Sequence, residues 1–227
     1  MRTSFDPPAD PEGAENVCEY CDYILKKTIT GEWVCTNRRC EPGGHYDFIF
    51  DAHETAAEWA RDLLKHPERY VILDTETTGL SNIDQVVQVA MISGTGEVLM
   101  DNVLIKPTID IHPGASRIHG ITNETVKDAP DFIDVWGEIH KHMQGKRLVI
   151  YNAEFDLRML RQSAAGCGHT IEFPFMLCTC AMTTYAEWVG EWNEYRGNFK
   201  WQKLPGGDHS ALGDCFATLG VIKEMAG

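Results

Sequence analysis

The stretch YVILDTETTGL, at residues 70–80, joins a run of apolar residues to two carboxylates and a turn. The apolar, β-branched start predicts a buried strand. Side chains two positions apart on a strand share a face, about 6–7 Å apart, so Asp74 and Glu76 can reach one cation together. Carboxylates at the end of a buried strand are costly unless a cation meets them. The stretch therefore predicts a central strand that ends at a metal site, to which further carboxylates must contribute.

Apolar residues along the rest of the chain follow the periods of strands and helices. Three strands joined by short turns come first and predict an antiparallel meander. Helices and one more strand follow, so the order predicts an α/β fold with a mixed sheet flanked by helices. The predicted strands are 70–74, 86–93, 97–105 and 147–152, and the predicted helices are 131–143, 153–165 and 209–225. The last helix is expected to bury one face made of Leu212, Cys215, Phe216, Leu219 and Ile222.

Two further carboxylates lie near predicted element boundaries. Asp156 falls in the first turn of the helix after strand 147–152, and α/β sheets place ligands at the carboxyl ends of their strands. Asp214 lies in the last helix, five residues after His209. Positions i and i+5 of one helix diverge by about 140°, so His209 can share a site with Asp214 only from the loop before the helix. Each residue alone is typical of a cap or a solvated surface, and only their combination favours a site.

Three segments in this order, DTETTGL (74–80), NAEFD (152–156) and HSALGD (209–214), resemble the motifs of the DEDD superfamily of 3′–5′ exonucleases, in its His subgroup (DEDDh, DnaQ-like). The segment IHGIT (118–122) also matches a common element of that superfamily. The resemblance covers residues 70–225. It implies an RNase H-like fold and an enzyme that hydrolyses phosphodiester bonds at a 3′ end and releases nucleoside 5′-monophosphates.

The resemblance also implies roles for individual residues. Asp74, Glu76 and Asp214 would hold one divalent ion, and Asp74 and Asp156 would hold a second. Oxygen ligands favour Mg²⁺ or Mn²⁺, and two such ions stabilise the attacking and leaving oxygens of the transferred phosphate. His209 would act as general base, since histidine exchanges protons near neutral pH. The alternative for His209 is a loop histidine that contacts substrate.

The turn after the first motif approaches the terminal nucleotide in this superfamily. Expected substrate contacts are Thr77, Thr78, Gly79, Leu80, His119 and Asn152. For Leu80 the alternative is a core leucine, and for His119 and Asn152 it is support of the fold. Just before His209, the residues Lys200, Trp201 and Lys203 predict a patch for phosphates and base stacking, with an ordinary surface loop as the alternative.

The N-terminal part carries four cysteines with the spacing C-x2-C-x13-C-x4-C. This spacing is typical of a tetrahedral Zn²⁺ site, and the segment between the two pairs can form a hairpin that turns near Thr30 and Gly31. A closed four-thiolate site leaves no open position for catalysis, so the zinc would be structural. The predicted ligands of this zinc-ribbon-like module are Cys18, Cys21, Cys35 and Cys40. Free or buried thiols are the alternative.

These patterns divide the chain into four predicted parts. Residues 1–15 form a disordered acidic tail, and residues 16–50 form the zinc-binding module. Residues 51–66 form a connecting helix, with Asp51 as its N-cap and Glu54 completing a capping box. Residues 67–227 form the exonuclease domain.

Composition and charge restrict the partners. The chain has 227 residues, 43% of them hydrophobic, and a formal net charge of −14. No apolar run approaches a membrane span and no signal-peptide pattern occurs, so the sequence predicts a soluble, cytoplasmic protein without a membrane partner. The acidity argues against tight duplex binding through many phosphates. It leaves room for an enzyme that binds one strand end, because bound divalent ions supply positive charge locally.

The sequence thus predicts a metal-dependent 3′–5′ exonuclease for single-stranded or frayed DNA ends, with a polymerase or a replication or repair protein as partner. A 3′–5′ exoribonuclease stays open, since contacts to the 2′-hydroxyl group are not visible in the motifs. A non-catalytic module that binds nucleic acid or a polymerase is the alternative of a different class. Five clustered ionisable groups argue against it, because a scaffold has no need for them.

Overall fold

The computed structural model describes residues 44–172, 178–193 and 195–227, together with two short strands near the N-terminus. These strands, β1 (Leu25–Lys27) and β2 (Trp33–Cys35), pair antiparallel with Leu25 opposite Cys35. The pairing agrees with the hairpin predicted between the two cysteine pairs. The predicted tail at 1–15 and the predicted ligands Cys18, Cys21 and Cys40 lie outside the described residues, as does the side chain of Cys35. The zinc module stays a prediction.

The first helix, α1 (Gly44–Lys65), is longer than predicted. The prediction that Asp51 caps it is wrong, because the helix begins at Gly44 and Asp51 lies inside it. A capping pattern contributes only about 1 kcal/mol, and packing of the helix outweighs such local signals. Ala56, Ala60 and Leu63 are buried in the same core as the first strand of the large sheet. The helix is therefore part of the packing of the main domain, and its role as a connector stays a prediction.

The large sheet has five strands in the order β5-β4-β3-β6-β7. Strand β3 pairs antiparallel with β4, which pairs antiparallel with β5, so the predicted meander is confirmed. Strand β3 also pairs parallel with β6, and β6 pairs parallel with β7, which makes the sheet mixed as predicted. The strands are β3 (Tyr70–Thr77), β4 (Val86–Ser93), β5 (Val98–Leu104), β6 (Arg147–Ile150) and β7 (Cys178–Cys180).

Helices cover both faces of this sheet. Helices α4 and α5 pack on one face and α1, α6 and α7 on the other. Among the described residues, no helix is both long and apolar enough to cross a bilayer. The helices after α1 are α2 (Pro113–His119), α3 (Asn123–Val126), α4 (Phe132–Met143), α5 (Ala153–Gly166), α6 (Ala181–Val189) and α7 (Ala211–Ala226). A 3₁₀ turn (Pro67–Arg69) and a small hairpin of β8 (Trp192–Asn193) and β9 (Asn198–Phe199) complete the described elements.

The last helix buries most, but not all, of its predicted face. Cys215, Leu219 and Ile222 are buried in the core, as expected. Phe216 is 42% exposed, so its placement on the buried face is wrong. Phe216 follows Cys215 directly and is turned about 100° away from it around the helix axis, towards the edge of the interface.

Strand β3 is central and buried on both sides. Val71 and Leu73 belong to the core under α4 and α5, whereas Tyr70 and Ile72 belong to the core under α1, α6 and α7. Alternation along the strand therefore directs Asp74 and the residue two positions later towards the α7 layer. The sheet fixes which helix can bring further carboxylates to them.

Candidate active site

Three carboxylates meet at the end of β3. Asp74 and Glu76 come from the strand and Asp214 comes from the first turn of α7. Each offers an oxygen within 4.8 Å of an oxygen from the other two, and all three side chains are half-buried. The prediction that Asp74 and Glu76 share a face is confirmed. Three hard oxygen ligands at this spacing fit one divalent cation.

A fourth carboxylate, Asp156, reaches the cluster from the other face of the sheet. It lies in the first turn of α5, as predicted, and only 3% of it is exposed. Its Oδ1 accepts a hydrogen bond of 2.7 Å from the Thr75 hydroxyl group. Thr75 stands between the two carboxylates of β3 and faces the α5 layer, so it fixes the Asp156 carboxylate beside them.

Burial and mutual repulsion raise the pKa values of these carboxyl groups. For Asp74, burial is the largest cause and the Asp156 charge is the next, and its pKa lies well above the usual value. Burial, then the charge of Asp214, raises the pKa of Glu76 to about 8. Burial raises the pKa of Asp156 to about 7, although hydrogen bonds from Thr75 act in the opposite direction. A divalent cation would relieve this repulsion, so the site is electrostatically suited to one.

The loop before α7 holds His209 next to the cluster. The backbone N–H groups of Asp208 and His209 donate to Asp214 Oδ1, over 2.9 and 3.3 Å. His209 has φ = +61°, in the left-handed region, and its exposed side chain lines the cleft. Ser210 caps α7 and accepts a hydrogen bond from the Gly213 N–H. His209 therefore comes from the loop and not from the helix, as the spacing predicts.

Two side chains that the sequence analysis missed hold the start of α7 in place. Gln88 on β4 accepts a hydrogen bond of 3.1 Å from the Ala211 N–H. Asn102 on β5 accepts one of 2.9 Å from the Leu212 N–H. The helix start, and with it Asp214, is thereby tied to the sheet that carries Glu76. A polar residue inside the apolar strand VVQVAMIS was the available signal for Gln88.

A cleft of about 1250 Å³ opens beside the carboxylates and contains several of the predicted substrate contacts. Leu80 is 79% exposed on its rim and Phe155 of α5 forms part of its wall. The predicted contacts that line it are Thr77, Gly79, Leu80 and His119. Its mixed apolar and polar walls are typical of a site for a small organic ligand.

Two predicted contacts lie elsewhere. Thr78 is fully buried, and its hydroxyl group donates to Asp84 Oδ1 over 2.6 Å. The side chain of Thr78 therefore supports the turn from behind. Asn152 precedes α5 and lines a second groove on the other side of that helix's first turn.

Asp84, another residue that the sequence analysis missed, shapes the turn. It accepts hydrogen bonds from the Thr78 hydroxyl group and from the Ser81 N–H. A Cβ atom on Gly79 would lie 2.7 Å from Asp84 Oδ2, so a side chain there would displace the carboxylate. The close approach explains the glycine at this position.

His119 both lines the cleft and supports the fold. Its Nδ1 accepts a hydrogen bond from the Ile121 N–H, which leaves Nε2 to donate to the Thr77 carbonyl oxygen over 3.1 Å. Burial lowers the pKa of His119 from its usual value. The ring is therefore a neutral tether between α2 and the end of β3.

Comparison with known proteins places this site in a family. A model of the exonuclease family matches residues 71–222, well over half of the chain. The chain belongs to this family. It is an exonuclease of the DEDD, DnaQ-like type, a family of hydrolases of phosphodiester bonds.

Relatives of this exonuclease support the assignment. An uncharacterized exonuclease of Escherichia phage 186 is 37% identical over 171 residues, which cover 69% of the chain and 87% of the phage protein. The DNA polymerase III subunit epsilon of Pasteurella multocida is 35% identical over 103 residues, 41% of each protein. The exonuclease thus spans less than half of that polymerase subunit.

A solved structure shares the fold. Exonuclease I of E. coli, in complex with an oligonucleotide, superposes with a TM-score of 0.53 at 18% identity. The match covers 68% of this exonuclease and 40% of that chain. The predicted RNase H-like mixed sheet flanked by helices is confirmed.

Proposed function

We propose that this exonuclease removes nucleotides from the 3′ end of single-stranded or frayed DNA and releases nucleoside 5′-monophosphates with the help of two divalent cations. The observation that carries the proposal is the convergence of Asp74, Glu76 and Asp214 within 4.8 Å, beside buried Asp156 and a cleft lined by His209. Such a cluster is costly without cations and suits phosphodiester hydrolysis with them.

The donor set favours Mg²⁺ or Mn²⁺, because all its atoms are carboxylate oxygens. Asp74, Glu76 and Asp214 would hold one ion, and Asp74 and Asp156 the other. Bound there, the ions would activate the attacking water and stabilise negative charge on the leaving oxygen. The raised pKa values of Asp74, Glu76 and Asp156 support this assignment, since a bound cation would stabilise the charged carboxylates against both burial and mutual repulsion.

The remaining steps belong to the side chains around the cluster. The exposed His209 ring can take the proton of the attacking water and pass it to solvent. Its backbone bond to Asp214 keeps the ring at the edge of the carboxylates. Leu80, on the rim of the cleft, can pack against the terminal base. The neutral His119 ring supports the cleft wall through its hydrogen bond to the Thr77 carbonyl oxygen.

DNA is proposed as the substrate because several relatives are named as subunits of a DNA polymerase, the epsilon subunit of DNA polymerase III. The names of the same relatives support a polymerase as partner. A replication or repair protein as partner and a cytoplasmic location are part of the proposal. The N-terminal cysteines Cys18, Cys21, Cys35 and Cys40 are proposed to hold one structural Zn²⁺, which the pairing of β1 with β2 supports.

One assay tests the enzyme and its substrate together. Single-stranded DNA labelled at its 5′ end should shorten stepwise, whereas the same strand labelled at its 3′ end should release the labelled mononucleotide first. Mg²⁺ or Mn²⁺ should be required, and EDTA should stop both reactions. An RNA strand of the same sequence is the matched substrate, and efficient trimming of RNA with inert DNA would overturn the choice of DNA.

A further inference from the structure

The backbone of His209 has a conformation that costs free energy. Its φ of +61° lies in the left-handed region, which residues with a side chain seldom adopt. In the part of the chain that the structure describes, only His209 and Asn102 combine a side chain with a positive φ. Such a conformation persists where the surrounding bonds over-determine it. The contacts that hold His209 are therefore relevant to its work in the site.

Asp208 braces the backbone of His209 from the side that faces away from Asp214. Its Oδ1 accepts a hydrogen bond of 3.0 Å from the Ser210 N–H and one of 2.8 Å from the Ser210 hydroxyl group. A carboxylate that bonds to the N–H two residues further on closes a side-chain turn, and His209 is the middle residue of this turn. The His209 N–H itself points to Asp214 Oδ1. Two carboxylates thus fix the peptide groups on either side of the His209 Cα atom.

Gly213, in the first turn of α7, gives the Asp208 carboxylate its room. A Cβ atom on Gly213 would lie 2.6 Å from Asp208 Cγ, closer than real contacts of this kind. Glycine is a poor helix former, so its presence here needs a reason. Gly220 of the same helix offers the contrast, because a Cβ atom there would meet nothing within 4 Å. The space beside Gly213 is occupied by the carboxylate that braces His209.

The direction of the His209 ring depends on this backbone. Within the described residues, no hydrogen bond holds the ring, which is exposed and lines the cleft. Its place beside the carboxylates is therefore set by φ, ψ and the rotamer of His209 alone. A change of the backbone to an ordinary conformation would turn the ring away from its present position.

We propose that Asp208 is a positioning residue of the exonuclease, which holds His209 in the left-handed conformation so that its ring stays at the edge of the metal-binding carboxylates. Gly213 is part of the same device, since only a residue without a side chain leaves space for the Asp208 carboxylate. The proposal rests on the proposed exonuclease function, with His209 as general base.

Asp208 should act through His209 and not through the metal ligands. Asp214 belongs to α7, and the start of this helix is tied to the sheet by Gln88 and Asn102. These bonds do not involve Asp208. Loss of the Asp208 carboxylate should therefore release the loop that carries His209 while the helix that carries Asp214 stays in place.

The first test measures single-turnover cleavage of single-stranded DNA with saturating Mg²⁺. Asp208→Ala should lower the maximal rate constant about 10-fold, because small displacements of a reacting group are costly in rate. The enzyme concentration at half-maximal rate should not change, nor should the affinity for Mn²⁺, measured by electron paramagnetic resonance. Asp208→Asn keeps an oxygen that can accept both bonds from Ser210, so it should retain most of the wild-type rate.

The second test uses the glycine. Gly213→Ala should displace the Asp208 carboxylate and lower the rate constant as far as Asp208→Ala does. The double variant should be no slower than Asp208→Ala, and it should unfold at a higher temperature than Asp208→Ala because alanine favours the helix. Gly220→Ala is the matched control, which should raise the unfolding temperature without changing the rate. Asp128→Ala, an exposed aspartate between α3 and α4, should alter neither.

The outcomes separate this proposal from the proposed function. Wild-type protein without cleavage in Mg²⁺ or Mn²⁺ would overturn the exonuclease function. An active wild type with normal rates in Asp208→Ala and Gly213→Ala would overturn the positioning role alone. Equal losses in Asp208→Asn and Asp208→Ala would also overturn it, because the charge and not the bonds would then matter. A loss of Mn²⁺ affinity that parallels the loss of rate would do the same, since Asp208 would then act through the metal ligands.

Discussion

Asp74 is subject both to burial and to repulsion by neighbouring carboxylates. It lies in the central strand, and its carboxylate experiences the charges of Asp156, Asp214 and Glu76 as well as burial. A charged carboxylate at this position costs folding free energy in the absence of a cation, and a bound cation would offset that cost. The local alternation of YVILDTET made this residue predictable, because a strand's period of two depends on neighbours in sequence alone.

Replacing Asp74 by Asn should lower Mg²⁺-dependent cleavage of single-stranded DNA at least about 100-fold, because the carboxylate shared by both proposed ions is lost. The same change should raise the thermal unfolding midpoint of the metal-free protein, since it removes a buried repelling charge. Asp101→Asn on the exposed side of β5 is the matched control and should alter neither quantity. Near-normal turnover by Asp74→Asn would refute the assignment.

Glu76 makes the stability of the metal-free protein depend on pH. Its pKa is about 8 in the folded protein against 4.5 for an unperturbed glutamate, so between these values the folded state binds more protons than the unfolded state. Stability therefore falls as pH rises from about 5 to 8, by at most ~1.4 kcal/mol per pH unit for this group. Asp156 acts in the same direction.

Urea unfolding in EDTA at several pH values measures this dependence. Glu76→Gln should flatten the curve, and saturating Mg²⁺ should weaken the decline in wild type because the bound ion stabilises the charged carboxylates. Stability that rises with pH over this window in EDTA would contradict the proposed electrostatics.

At the level of secondary-structure elements, the long helices and strands were predictable, but the hydrogen bonds that join them to one another were not. Strand β4 and helix α5 matched the prediction closely, because β4 is a nearly continuous apolar run and α5 carries a helical apolar period. The three-residue strand β7 and the helix after it were missed, since a strand of three residues shows no period. The bonds from Gln88 and Asn102 to α7 join positions more than 100 residues apart, so no local pattern reports them.

Replacing Gln88 by Leu should loosen the start of α7 and lower kcat about 10-fold, because small displacements of a reacting group are costly in rate. It should cost about 1 kcal/mol of stability through the Ala211 N–H left unpaired. Faster hydrogen exchange at Ala211, with the core strands unchanged, would identify the cause. Gln144→Leu at the exposed end of α4 is the control. Normal kcat in Gln88→Leu would exclude a positioning role for this bond.

At the level of the whole molecule, the motifs predicted which residues meet at the candidate active site better than they predicted where the parts of the chain begin and end. The order of carboxylates along residues 74–214 specified which strand and helices meet, and the structure brings them together. The start of α1 was wrong because a capping pattern is a weak local signal beside the burial of Ala56 and Ala60. The division between an N-terminal module and the main domain depends instead on the four cysteines.

Changing Cys18 and Cys21 together to Ser should remove one equivalent of zinc per chain, measured by atomic absorption after dialysis. Two thiolates cannot hold a closed tetrahedral site, so residues 16–50 should become sensitive to protease. Hydrolysis of a nucleotide p-nitrophenyl ester should be partly retained, because the proposed active-site ligands are carboxylates of residues 74–214. Cys167→Ser, a half-buried thiol outside the spacing, should keep its zinc. Unchanged zinc content in the double variant would eliminate the four-cysteine site.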